Sequence, residues 1–119
     1  RWSRGLGDVY KRQVGARYLR RWFDPDVTEP VRLHVAAKRY LCAARPGYAD
    51  DLSASSVRSL AVQGGPMSEL EAVAFEEEPG SDAAVRVREW DDRAKVEGLT
   101  VAPFEAYVDL LCAVARAGP

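Results

Sequence analysis

Histidine occurs once in the 119 residues, at His34, and cysteine twice, at Cys42 and Cys112. A closed zinc site draws on about four such donors, so none is expected here. Two cysteines also make no disulfide framework. Both lie inside apolar helical patterns and are expected as buried thiols of a reducing cytoplasm. Long apolar runs are missing too: nothing approaches the roughly 20 residues that cross a bilayer. The polar, charged start has no secretory pattern, so a soluble, cytoplasmic protein with no membrane partner is expected. Charge of one sign is equally absent. Seventeen Lys and Arg stand against eighteen Asp and Glu, for a net charge of −1. That mixture lacks the basic field that would mark a nucleic-acid partner.

What is present is apolar material and helical periodicity. Apolar residues make up 47% of the chain, enough for the core of one domain. Residues 1–13 (RWSRGLGDVYKRQ) are poorly periodic and basic, and their end, Asp8 to Gln13, resembles the translation of a transposon adapter used in sequencing libraries. They are set aside as non-native, which implies that the native chain begins upstream. From Val14 the spacing turns helical. Val14, Tyr18, Leu19, Trp22 and Phe23 share a face, and Pro25 is expected to end that helix. Thr28-Glu29-Pro30 reads as the next start, running to about Ala44 before Pro46-Gly47. Ser53 is placed to cap a helix that stops at Gly64-Gly65. Ser68 and Glu71 form a possible capping box for Glu69 to Glu77, closed by Pro79-Gly80. Further helices are expected over Asp82 to Lys95 and Phe104 to Ala115. No stretch alternates with period two for long, so the fold class is all-α.

Three segments could carry chemistry. In Glu29 to Ala43, His34 and Lys38 are one turn apart on a stripe with Val31 and Leu41. A histidine and a lysine on an apolar face need an anion or a metal to offset their burial. The alternative is a hydrogen-bonded core histidine beside a lysine whose head reaches solvent. In the next helix Ser56, Ser59 and Gln63 share a face that runs into Gly64-Gly65. This arrangement could hold an oxyanion, or be a solvent face before a helix stop. In Val87 to Lys95, Arg88, Asp91 and Lys95 can line one side with Trp90 packing beside it. That reads either as an exposed ion-pair ladder or as a carboxylate ligand steadied by cations. The acidic run Glu76-Glu77-Glu78 is expected to be a solvated helix end.

Taken together, HVAAKRYLCA (His34–Ala43), SVRSLAVQGGPMS (Ser56–Ser68) and REWDDRAK (Arg88–Lys95) resemble the C-terminal half of the HD-domain phosphonate oxygenases, helical relatives of myo-inositol oxygenase. The resemblance runs in order through most of Val14 to Lys95, and assigns residues 14–119 to the C-terminal part of an HD domain. It implies a mixed-valence di-iron centre (Fe2+/Fe3+) held by histidines and aspartates, with dioxygen and an organophosphonate as small-molecule partners. A hydrogen is removed from the carbon bearing hydroxyl and phosphonate, and the C–P bond breaks to release phosphate. In the best-known branch the substrate is 2-amino-1-hydroxyethylphosphonate and glycine is the other product. By this resemblance His34 and Asp91 are metal ligands, Asp91 rather than Asp92 because it lies four before the lysine. Lys38, Ser56 and Arg88 contact the phosphonate, with Ser59 and Gln63 as further contacts.

The departures from that family are as informative. The His-Asp doublet that names the superfamily is absent, and Lys11 stands where a further ligand histidine is expected. His34 and Asp91 alone cannot hold two irons, so the chain is expected to bind none by itself, to be inactive alone and to self-associate. The alternatives are a metal-dependent phosphohydrolase and a non-catalytic helical interaction module.

Overall fold

Pro25, expected to close a helix, opens one. In the computed structural model, which describes residues 14–116, a first helix covers residues 14–19 (α1) and gives way to a turn. Asp24 then takes an extended conformation as N-cap, and α2 runs Pro25–Ala44 with Pro25 in its first turn. A proline costs nothing there, because the N–H it lacks would have no helical partner. Pro30 lies inside α2 and is buried; the helix gives up one ladder bond at that point. The adapter-like reading of residues 1–13 lies outside the described residues.

After α2 the chain makes a 3-10 turn over Tyr48–Asp51 and enters α3, Ala54–Val62. Ser53 caps α3 as expected, its side chain accepting from the Ser56 backbone N–H at 3.1 Å. Helix α4, Glu69–Glu77, carries both halves of the expected capping box. Gly80, at φ 87°, leads into α5, Ser81–Ala94. A Cβ on Gly80 would lie 3.2 Å from the Cβ of Glu29, so glycine lets the α4–α5 corner approach α2. The last segment, expected as one helix, divides. Phe104–Tyr107 is a 3-10 turn and α6 covers Val108–Val114. Tighter i→i+3 bonding begins it, with Ala106 N–H on the Pro103 carbonyl at 3.0 Å.

Helix α2 is the axis of the molecule, packing chiefly on α5 and then on α4. Leu33 and Ala37 meet Phe75 of α4 and Ala84 of α5, flanked by Ala36, Tyr40, Met67 and Val85. The Tyr40 and Phe75 rings sit 4.8 Å apart, and the Tyr40 hydroxyl donates to Glu76 at 2.5 Å. The acidic helix end is therefore partly engaged. Among the described residues there is no strand, and the chain is all-α as expected. No helix among them is long and apolar enough to cross a membrane.

Two expectations about burial, for the cysteines and for Trp90, are corrected. Cys112 is exposed and Cys42 half-buried, because α6 presents its apolar side outward. Trp90 is 58% exposed: it points away from α2 while Arg88 points in. In α1 the buried residue is Ala16, whereas Val14 and Tyr18 are exposed, and Tyr18 packs edge-on against Trp22 at 5.1 Å.

Candidate functional site

The stripe that places His34 and Lys38 one turn apart on α2 brings Lys38 to a contact between helices. Its ammonium does not reach solvent, for the residue is 2% exposed. Nζ donates to Ser59 Oγ at 2.8 Å and to the Ser56 carbonyl at 3.4 Å, both on α3. Ser59 Oγ in turn donates to that carbonyl at 3.1 Å. The polar stripe of α3 is therefore a cation-binding inner face, not a solvent face. Gln63 lies one turn beyond Ser59, at the C-cap of α3.

Ser56 is buried and joins the other two helices. Its Oγ accepts from Lys95 Nζ at 2.9 Å and lies 3.4 Å from Arg88 Nη2. Arg88 is itself only 3% exposed, so its ion pairs are anchored inside, whereas the Asp91–Lys95 pair stays at the surface. Its principal partner is Asp92, whose Oδ1 takes Nε at 3.1 Å and also Nη2. Asp91 is second, with its Oδ2 at 3.3 Å from Arg88 and 3.0 Å from Lys95. The Tyr48 hydroxyl donates to the other oxygen of Asp92. Lys38, Ser56, Ser59 and Arg88, singled out on three separate helices, are thus brought together.

The electrostatics follow from that packing. Burial pushes the Asp92 carboxyl up, but Arg88, Tyr48 and Lys95 outweigh it and hold it below its ordinary range. Burial works against the charge on Arg88, and Asp92 more than offsets it. Desolvation, then the bond to Asp92, pushes the Tyr48 phenol well above its usual value. Cys42 is raised mainly by burial, against the nearby charges of Lys38 and Arg88.

His34 is half-buried, and its Nδ1 lies 2.6 Å from the Val31 carbonyl. A carbonyl oxygen can only accept, so Nδ1 is the donor to Val31 and Nε2 is the ring nitrogen that remains to meet a metal, the orientation of an imidazole ligand held by its backbone. Among the described residues no three His, Cys, Asp or Glu side chains gather as a metal site. The glycine pair after α3 receives a cation. Arg39 Nε donates to the Gly65 carbonyl at 2.7 Å, and a Cβ on Gly64 would lie 3.3 Å from the guanidinium. It therefore gives no support to an oxyanion reading.

Two members of the cluster escaped sequence reasoning. Asp92 had a signal, its i+4 spacing from Arg88, but the aspartate beside it matched a family pattern. Tyr48 had none, since it follows Pro46-Gly47 in a short turn.

No protein-family model matches the chain. Over 94 residues it is 48% identical to a hydroxymethylphosphonate dioxygenase of Gimesia maris, covering 79% of this chain and 47% of that protein. Over 88 residues it is 44% identical to a 1-hydroxy-2-(trimethylamino)ethylphosphonate dioxygenase (glycine-betaine-forming) of Leisingera caerulea, covering 74% and 45%. An uncharacterized protein of Acanthamoeba polyphaga mimivirus is 32% identical over 107 residues, covering 89% and 49%. The chain spans about half the length of the curated relatives it matches.

Proposed function

The chain is homologous to phosphonate dioxygenases over most of its length, and on that footing we propose that it carries the phosphonate pocket of an HD-domain oxygenase. The reaction is cleavage of the C–P bond of a 1-hydroxyphosphonate with release of phosphate. One observation carries the reading: Lys38, Ser56, Ser59 and Arg88 converge from three helices with Lys38, Ser56 and Arg88 buried. Among the described residues the cluster brings two buried cations, Lys38 and Arg88, to the buried hydroxyl of Ser56. Cations and a hydroxyl gathered in a partly desolvated site suit a phosphonate anion. Lys38 supplies a point charge, Arg88 a planar donor and Ser56 a hydroxyl between them. Gln63 extends the same side of α3. Both named relatives take substrates with a hydroxyl on the phosphonate carbon, which supports an oxygenase over a phosphohydrolase.

His34 and Asp91 are the proposed iron ligands, one imidazole and one carboxylate. The Nδ1 bond to Val31 leaves Nε2 available, which fits that role. Asp91 is steadied by Arg88 and Lys95, linking the ligand to the phosphonate side. Two ligands do not complete a di-iron site, so the remainder must come from outside the described residues. When bound, iron supplies the oxidation of the substrate carbon by dioxygen. The residues of this chain bind the phosphonate, hold its charge against Lys38 and Arg88, and orient the substrate. A cytoplasmic setting belongs to the same reading and is compatible with the free thiols Cys42 and Cys112.

The test uses the full-length, iron-loaded protein with hydroxymethylphosphonate, measuring dioxygen uptake, phosphate release and bound iron. Uptake and release are expected together. His34→Ala should lose iron, whereas Lys38→Ala should keep iron and lose about 1.5–3 kcal/mol of phosphonate binding. Phosphate release without dioxygen uptake would make the protein a hydrolase. Equal iron loss in both variants would overturn the assigned roles.

A further inference from the structure

Tyr48 belongs to none of the three chemistry-bearing segments, yet it holds one corner of the cluster. It opens the 3-10 turn Tyr48–Asp51 directly after Gly47, whose φ of 81° reverses the chain beyond α2. Its hydroxyl donates to Asp92 Oδ2, while Oδ1 of the same carboxylate holds Arg88 by Nε and Nη2. Both oxygens of Asp92 are thereby engaged, one by the phenol and one by the guanidinium. Nη2 also reaches Ser56 and Asp91, but Nη1 makes no hydrogen bond to a described residue. A second tether ties the same corner to α5, Arg45 Nη1 to Glu89 Oε2 at 2.8 Å.

We propose that Tyr48 and Asp92 are a positioning pair: Asp92 grips the Nε edge of Arg88, Tyr48 holds Asp92 there, and the Nη1 side is left for the phosphonate. A carboxylate held by the arginine alone could turn about its side-chain torsions and occupy the donors that the ligand needs. Fixing its second oxygen removes that competition and pre-organises the guanidinium. The sequence spacing hid this pair because the contact spans 44 residues. The inference rests on the phosphonate reading, and the experiment separates failure of one from failure of the other.

Methylphosphonate, which lacks the reacting hydroxyl, is titrated calorimetrically into the full-length, iron-loaded protein and its Tyr48→Phe, Arg88→Ala, Lys38→Ala and Tyr48→Phe/Arg88→Ala variants. Tyr48→Phe is expected to weaken binding roughly three- to tenfold. The same substitution should have no effect in the Arg88→Ala background, because its action runs through that guanidinium. With hydroxymethylphosphonate, KM should rise by a similar factor while kcat holds, as the hydroxyl does not touch the reacting carbon. Asp92→Asn, which keeps the shape but not the charge, should reproduce the KM effect if Tyr48→Phe folds poorly. An equal loss in both backgrounds, or a fall in kcat alone, would show a merely structural tyrosine and overturn the pair. Unchanged binding in Tyr48→Phe alongside weakened binding in Lys38→Ala overturns the pair and leaves the phosphonate site standing. Unchanged binding in Lys38→Ala and Arg88→Ala as well removes the phosphonate site, and this inference with it.

Discussion

Burying an ammonium group costs several kcal/mol unless its protons find partners. Lys38, 2% exposed, donates to a hydroxyl and a carbonyl of α3 and has the Arg88 guanidinium nearby across the buried Ser56. Lys38→Met in the full-length protein removes those bonds to α3, and is therefore expected to destabilise the unliganded state by about 1–3 kcal/mol and to weaken methylphosphonate binding by about 1.5–3 kcal/mol. Urea unfolding and calorimetry check the two halves. A Met variant of unchanged stability would mean that the bonds from Lys38 to α3 do not hold the fold together. The His34–Lys38 spacing was legible because both residues sit on one helix, whereas the choice between Asp91 and Asp92 as the main partner of Arg88 was not. Adjacent residues on a helix point about 100° apart, and only the position of Tyr48 and Ser56 decides which of them faces inward.

Helix α4 shows how much a local signal can specify. Ser68 Oγ accepts from the Glu71 N–H at 3.2 Å, and the Glu71 carboxylate accepts from the Ser68 N–H at 3.0 Å. Ser68→Ala in the full-length protein should cost about 1 kcal/mol at neutral pH, measured by chemical unfolding. The Glu71 carboxyl is held below its ordinary value of 4.5, first by the Ser68 backbone N–H and then by Arg39. A depressed folded pKa contributes stability that is present above the unfolded value and lost as pH falls through the folded one. Glu71→Gln is therefore expected to destabilise at pH near 7 and to become indistinguishable from the parent in acid, once the pH has fallen through the lowered folded value. A penalty that persists in acid would place its origin in packing instead of charge. By contrast, the start of α2 is ambiguous in the sequence because Pro25 and Pro30 are both acceptable first-turn residues. The structure begins the helix at the first and buries the second.

Across the whole molecule, apolar side chains remain uncovered. Leu70 is 84% exposed, Val101 69% and Phe104 68%, and large apolar patches are unusual on soluble monomers. The 119-residue chain by itself is expected to bind a hydrophobic dye, to self-associate, and to melt over a broad range. Reconstituted anaerobically with ferrous iron, it should retain fewer than two irons per chain, since His34 and Asp91 are the only assigned ligands. Light scattering, circular dichroism and metal analysis test these together. A sharp melt of a dye-free monomer would indicate a self-sufficient helical module and favour a binding role over an enzymatic one.

The helices themselves were determined by the sequence, because their signals act within one turn. Ser53, the Ser68–Glu71 box, Pro46-Gly47 and Gly64-Gly65 begin or end helices where the spacing indicates. The candidate residues on each helix were legible for the same reason. Which of them would meet was decided only by the tertiary structure, in the packing of α2 on α5 and the turn that carries Tyr48. Periodicity states which side chains share a face but not which face is covered. Lys38 and Arg88 could therefore be sealed inside while Trp90, the large apolar residue two positions on, was turned to solvent.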